Sequence, residues 1–413
     1  MPDPIYLDHN ATTPMLPEVV EAIRACWVEP YLNPASQHGF GRRAYSALEG
    51  ARRRIADLLG AGENDFLIFT SGGTESNNLA IRGLLPRAGA SPPPTSHLHA
   101  SARRSHLIIS AVEHPSIAML AKELQNEGHE VDELPVNQYG VIQADRLAPL
   151  LRQDTALVAA ILGQNETGVV QPVAELAKIC ATRGIPLHTD ATQVAGKLPI
   201  DFTALGAATM TVAAHKFHGP VGIGALIVRH DVNLHPQLFG GFQQTGLRPG
   251  TESVALAIGM CRALHRIQDL DSKQDLDSIR RAHTTQLLER AAQMRALRDR
   301  FERAILAGWP SAMVLGANAD RLPNTSNIAF VGLDRQMLFM ALDQAGVACS
   351  TGSACASGSS ETSPVLIAMG CDHAILKSSL RFSLGATTTL AEVDEAARRI
   401  LTACNSLGRG KDA

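Results

Sequence analysis

A chain of 413 residues with 45% hydrophobic and 19% charged side chains has the make-up of an ordinary folded protein, and is long enough that two domains are expected. A net charge of −3 and 4% aromatic residues give no basic or base-stacking footprint, so nucleic-acid binding is not expected. Seven scattered cysteines without CxxC pairs argue against a disulfide framework and for a reducing, cytoplasmic setting; the start of the chain has no leader pattern, and no apolar run is long enough for a membrane.

In chain order, "PEVVEAIRACW" reads as a helix and "FLIFT" (66–70) as a buried strand. Residues 86–105, rich in Pro, Ser and Ala, break the pattern and read as an exposed loop insertion. The apolar runs "HLIIS" (106–110), "ALVAAIL" (156–162), "IPLHTD" (185–190), "TMTVAA" (209–214) and "GALIV" (224–228) continue the strands. Between them "VAELAKICATRG" reads as a helix stopped by Gly184. Strands alternating with helices indicate an α/β domain with a largely parallel sheet. Asp269 to Arg303 reads as one long helix or two, leading to a smaller C-terminal domain with the strand-like "NTSNIAFVG" and "SLRFSLG" and a final helix.

Three short stretches invite chemistry. "SGGTESNN" (71–78) follows a strand and opens a helix; its small residues expose backbone N–H groups where the helix dipole favours an anion. A phosphate cradle and a plain capped turn fit it equally well. Asp190 ends the strand of "LHTDATQ", where open α/β sheets bind ligands, although helix capping is the commoner task of a lone Asp. Lys216 in "AAHKFHGPVGIGAL" follows an apolar strand; a lysine in such a place can lose its proton and form a Schiff base, while a snorkelling lysine is the ordinary alternative. Together, a cradle, an aspartate and a lysine are the parts that pyridoxal phosphate needs. His114 in "SAVEHPSI" could cover its ring or shuttle protons, unless it is simply a satisfied loop histidine.

The motifs "YLDHNATTP", "NPASQHGFGR", "FTSGGTESNN", "EHPSI", "QNETGVVQPV", "HTDATQVAGKLPID", "AHKFHGPVGIGAL", "RPGTES", "STGSACASGS" and "LRFSLG" run nearly end to end. In them the chain resembles the cysteine desulfurases of the NifS/IscS kind, fold-type-I pyridoxal-phosphate enzymes of the class-V aminotransferase superfamily. The resemblance implies a large cofactor domain over 16–265 with a mixed, mostly parallel sheet between helices. A smaller α/β domain follows over 266–413, with residues 1–15 packing near it. It implies conversion of L-cysteine to L-alanine, with the sulfur left as a persulfide on Cys355.

Residue by residue, the resemblance makes Lys216 the cofactor's Schiff-base lysine, Asp190 the partner of its pyridine nitrogen and Gln193 a donor to its phenolic oxygen. His114 would stack on the ring and act as acid or base. Gly73, Thr74 and His215 would bind phosphate, with Thr251 reaching across to the neighbouring subunit of a homodimer. Asn165 would touch cofactor or substrate. Arg381 would clamp the substrate carboxylate, a surface salt bridge being the alternative. Ala213 stands where the family often has a serine, so one side-chain phosphate contact is missing. The persulfide would pass to acceptor proteins such as iron–sulfur scaffolds or tRNA-thiolation proteins. Cys349 reads as a small-residue replacement and Cys371 as packing. A selenocysteine lyase on the same scaffold is the first alternative, and a non-catalytic scaffold that binds sulfur acceptors is the second.

Overall fold

The structure, a computed structural model, describes residues 3–86, 105–265, 276–352 and 362–409. Strand β1 (Ile5–Tyr6) precedes the helix Pro17–Val28, whose proline sits in the first turn, where a missing N–H costs nothing. The next helix, Gly39–Leu58, buries Ala44, Leu48, Ala51, Ile55 and Leu58, a stripe at helical spacing that faces the large core.

The main sheet has seven strands: β2 (Phe66–Thr70), β3 (His106–Ser110), β4 (Glu130–Leu134), β5 (Thr155–Ile161), β6 (Leu187–Asp190), β7 (Thr209–Ala213) and β8 (Gly224–Val228). Their order is β2-β8-β7-β6-β5-β3-β4. Neighbours from β4 to β7 are parallel, while β8 runs antiparallel to both β7 and β2. Strands β3, β6, β7 and β8 are buried along their whole length, which is why they read as continuous apolar runs. The edge strand β4 differs: its acidic Glu130, Asp132 and Glu133 keep solvent contact and blunt the edge against further pairing.

This topology decides where chemistry can occur. Because β8 opposes both neighbours, β2 and β7 point the same way, and the carboxyl ends of β2, β3, β5, β6 and β7 share one edge of the sheet. The stretches singled out above leave from those ends.

The helix Val173–Ala181 stops before Gly184, which takes φ +65° in the turn toward β6. The long helix is seen over Leu276–Gly308 and runs beyond Arg303. The insertion falls outside the described residues except for Pro86 and Ser105. After the long helix, β9 (Ala312–Leu315), β10 (Thr325–Phe330), β11 (Val347–Ala348) and β12 (Ser379–Ser383) follow. Three of them form an antiparallel sheet in the order β12-β10-β9, and β11 pairs in parallel with β1. A second core gathers here around Phe301, Phe330, Phe382, Val393 and Ile400, and takes in Ile5 and Leu7 from the first strand's neighbourhood. Leu315, Leu322, Val365, Leu366 and Met369 pack instead into the larger core. Among the described residues no helix is long and apolar enough to cross a membrane.

Candidate active site

Lys216 ends the short turn after β7, and its Nζ donates to the main-chain oxygens of Asn10 at 2.6 Å and Ala11 at 2.7 Å. One strand over, Asp190 closes β6 and is buried. Its Oδ1 accepts the Thr192 N–H at 2.9 Å and its Oδ2 accepts Asn77 Nδ2 at 2.8 Å. The aspartate therefore caps the turn at Thr192 and is held in a buried place by Asn77.

Gln193 is buried on the same turn; its Nε2 donates to Asn10 O at 2.9 Å and its Oε1 accepts Lys197 Nζ at 2.8 Å. Burial, helped by Lys216 and Arg381, drives the Lys197 ammonium well below its ordinary range. His114 caps the helix Pro115–Asn126, accepting the Ser116 N–H at Nδ1 at 3.1 Å. Burial lowers its pKa, and the nearby Asp190 charge opposes that shift. His215 lies beside Thr12, with Nδ1 and Oγ1 3.2 Å apart, and burial pushes it down to about 4 with Lys216 and Lys197 adding to the effect.

The helix Gly73–Leu84 begins on the same edge. A Cβ on Gly73 would come within 3.2 Å of Thr192 Oγ1 and 3.6 Å of Ala213 Cβ, so glycine keeps this wall open. The buried Thr192 Oγ1 has no partner among the described residues, nor has Thr211 Oγ1. Unsatisfied buried hydroxyls beside a helix N-terminus want a polar guest. Thr74 is exposed in the first turn of the same helix, and Ala213 puts only a methyl at the end of β7. This donor set fits a phosphate-bearing cofactor.

Asn165 supplies its main-chain oxygen to Asn10 Nδ2 at 3.0 Å and to Arg381 NH1 at 3.1 Å. Arg381, on β12, is 1% exposed and pairs with Asp8 Oδ1 at 2.6 Å. The surface salt bridge considered from sequence is thus replaced by a buried one, because β12, an end strand of its sheet, is covered by bridges from Asp8 to Ser383 and from Ser350 to Arg381. Arg381 Nε is buried and has no partner among the described residues, which leaves a donor for a carboxylate.

Cys355 lies outside the described residues, together with the rest of 353–361. The chain on either side converges on Glu166. Ser363 Oγ donates to Glu166 Oε2 at 2.6 Å, and a Cβ on Gly352 (φ +101°) would sit 2.8 Å from the same oxygen. Cys349 is buried, and burial, then the Asp8 charge, pushes its thiol up, so it packs as a small hydrophobe. Cys371 is half-buried, with its thiol also raised by burial. Thr251 is exposed, just before the helix Val254–Leu264.

Sequence reasoning missed Asp8, Asn10, Asn77, Glu166 and Lys197. All lie inside the motifs quoted above, but nothing in their spacing marks them. Only the folded chain shows that Asn10 meets Gln193, Lys197, Lys216 and Asn324.

The class-V aminotransferase family matches residues 5–396. A cysteine desulfurase of Trichormus azollae is 40% identical over 390 residues, covering 94% of this chain and 90% of that protein. The cysteine desulfurase NifS of Azotobacter vinelandii is 37% identical over 396 residues, covering 96% and 91%. Among solved structures, a NifS-like protein superposes with a TM-score of 0.83 at 30% identity, covering 98% of this chain and 100% of that one. These names give no support to the selenocysteine-lyase or scaffold alternatives.

Proposed function

Because the chain belongs to the class-V aminotransferase family and is a pyridoxal-phosphate-dependent cysteine desulfurase, we propose that the strand-end cluster is its catalytic centre and Lys216 the cofactor lysine. The observation that carries this reading is the meeting of Lys216, Asp190 and the N-terminus of Gly73–Leu84 on one sheet edge. When bound, the cofactor supplies an electron sink for charge on the substrate's α-carbon.

The chain's own residues do the rest. The buried Asp190 carboxylate holds the ring nitrogen's proton. Gln193 turns its N–H toward the phenolic oxygen. The N–H groups of Gly73 and Thr74, with His215 and the main chain at Ala213, hold phosphate. Thr251 of a second copy joins them. His114 would cover the ring, and Arg381 would receive the cysteine carboxylate, supported by an Nε that has no partner among the described residues. Lys216 Nζ holds and moves the α-proton. The Cys355 thiolate attacks the substrate sulfur: an S–S bond forms, the C–S bond breaks, and the carbon fragment keeps the electron pair and takes a proton on the way to alanine. Asn165 borders the substrate through its main chain.

We infer a homodimer because Val221, Leu238 and Phe242 expose apolar surface (72%, 51% and 95%) in the region that leads to Thr251. The division at about residue 266 is supported by the second core, and the placing of 1–15 by β1 pairing with β11. Free thiols at six described cysteines suit a reducing cytoplasm. The sulfur passes to acceptor proteins, iron–sulfur scaffolds or tRNA-thiolation proteins among them.

The test is spectroscopic. Protein purified with pyridoxal phosphate should show a visible band and turn L-cysteine plus a reductant into equal amounts of alanine and sulfide. Lys216→Ala should lose both the band and the turnover. A Lys216→Ala enzyme that kept wild-type turnover would overturn the assignment.

A further inference from the structure

Asn77 is wholly buried on the helix Gly73–Leu84, and every polar atom of its side chain is engaged. Its Nδ2 donates to Asp190 Oδ2 and to Ser116 Oγ, both at 2.8 Å. Its Oδ1 lies 3.0 Å from His188 Nε2. An amide has two N–H donors and one acceptor oxygen, and an ionised carboxylate only accepts. The nitrogen must therefore face Asp190, and the oxygen must receive a proton from His188. That places the His188 proton on Nε2 and leaves Nδ1 to accept from Thr209 Oγ1, 2.8 Å away.

Ser116 Oγ accepts from Asn77, so its own hydrogen is available for His114 Nδ1 at 2.8 Å. The Ser116 main-chain N–H also points at that nitrogen, at 3.1 Å, and a peptide N–H cannot turn into an acceptor. Two donors therefore face His114 Nδ1, and a proton there would meet both of them.

We propose that Asn77 is a positioning residue that ties Asp190 to His114 and, through Ser116, fixes His114 as its Nε2–H tautomer. One side chain thereby sets the charge partner of the ring nitrogen and the hydrogen-bonding sense of the histidine. His114 then offers the site an N–H and no lone pair. It is a hydrogen-bond donor, and proton abstraction falls to Lys216 alone. Burial lowers the pKa of His114 and brings His188 down to about 4, which keeps both rings neutral near pH 7.

The catalytic meaning rests on the desulfurase reading above, but the tautomer is read without turnover, so the two ideas fail separately. The experiment is long-range ¹⁵N–¹H NMR on holoenzyme labelled with ¹⁵N-histidine, with His114→Gln used to assign the ring. The expected wild-type pattern is a protonated Nε2 and an acceptor Nδ1. Asn77→Ala frees the Ser116 hydroxyl to turn and should move both nitrogens part of the way toward an averaged position. Asn77→Asp keeps the size but lacks the donors, and should fail in the same way; a role in packing alone would be rescued by it. Ser116→Ala, at a half-buried position, removes the hydroxyl itself and should shift the pattern at least as far, the peptide N–H remaining in both variants. A wild-type proton on Nδ1, or ring signals unchanged in the folded variants, would overturn the proposal.

Discussion

At the scale of single residues, the buried carboxyl of Glu113 offers a pH handle next to His114. It accepts from Ser110 Oγ and from the Ile161 N–H, and burial raises it to about 8. A value raised on folding means that the folded state holds a proton the unfolded chain has released. The stability gained is full below the ordinary glutamate value of about 4.3. It is lost as pH rises through about 8. Glu113→Gln cannot release that proton, so its urea midpoint should vary less with pH than the wild type's over this window. Equal slopes would show that Glu113 is ionised in the folded state. Some of the site was legible at this scale and some was not. Lys216 and Asp190 stand out because buried parallel strands leave few charged residues at their ends. Asn10, Asn77 and Lys197 did not stand out, because polar residues in loops and helix turns are ordinary until their partners are known. Asn10 meets Asn324 across 314 positions of chain, and no local pattern carries that information.

Among the elements, legibility followed burial. Strands covered on both faces, such as β3 and β7, were plain as apolar runs. β4 was missed because an edge strand is polar by need. β1 and β11 are two residues each, and exist because each completes the other. The helix Gly39–Leu58 shows how an amphipathic stripe turns into packing. Leu48 sits in its middle, 1% exposed, against the large core. Leu48→Ala should cost about 2–5 kcal/mol, through lost burial and the cavity left behind. Chemical denaturation would measure it, and a loss below about 1 kcal/mol would mean that the core relaxes around the gap. A fall in stability without loss of the cofactor band would locate the effect in the scaffold rather than the site.

In the whole molecule, the site exists because two cores meet through the first residues of the chain. Ile5 and Leu7 belong to the smaller core, yet Asn10 and Ala11 hold Lys216 of the larger one. Asn10 also reaches Thr325 and Ser383 on the small sheet, at 2.9 and 2.8 Å. Arg381 comes from that sheet to stand beside Asn165 of the large domain. On the proposed reading, substrate carboxylate and cofactor would be gripped from opposite sides of one junction. The segment bearing Cys355 leaves from the same junction, flanked by Gly352 and Ser363 at Glu166. We propose that sulfur crosses from the strand-end centre to Cys355. The most direct measurement follows alanine formed from L-cysteine by the Cys355→Ser holoenzyme, alongside the wild type. The expected result is an intact cofactor band, a spectral response to added cysteine, and alanine reduced to background. Alanine formed at the wild-type rate would exclude that route, because sulfur would then be leaving without that thiol.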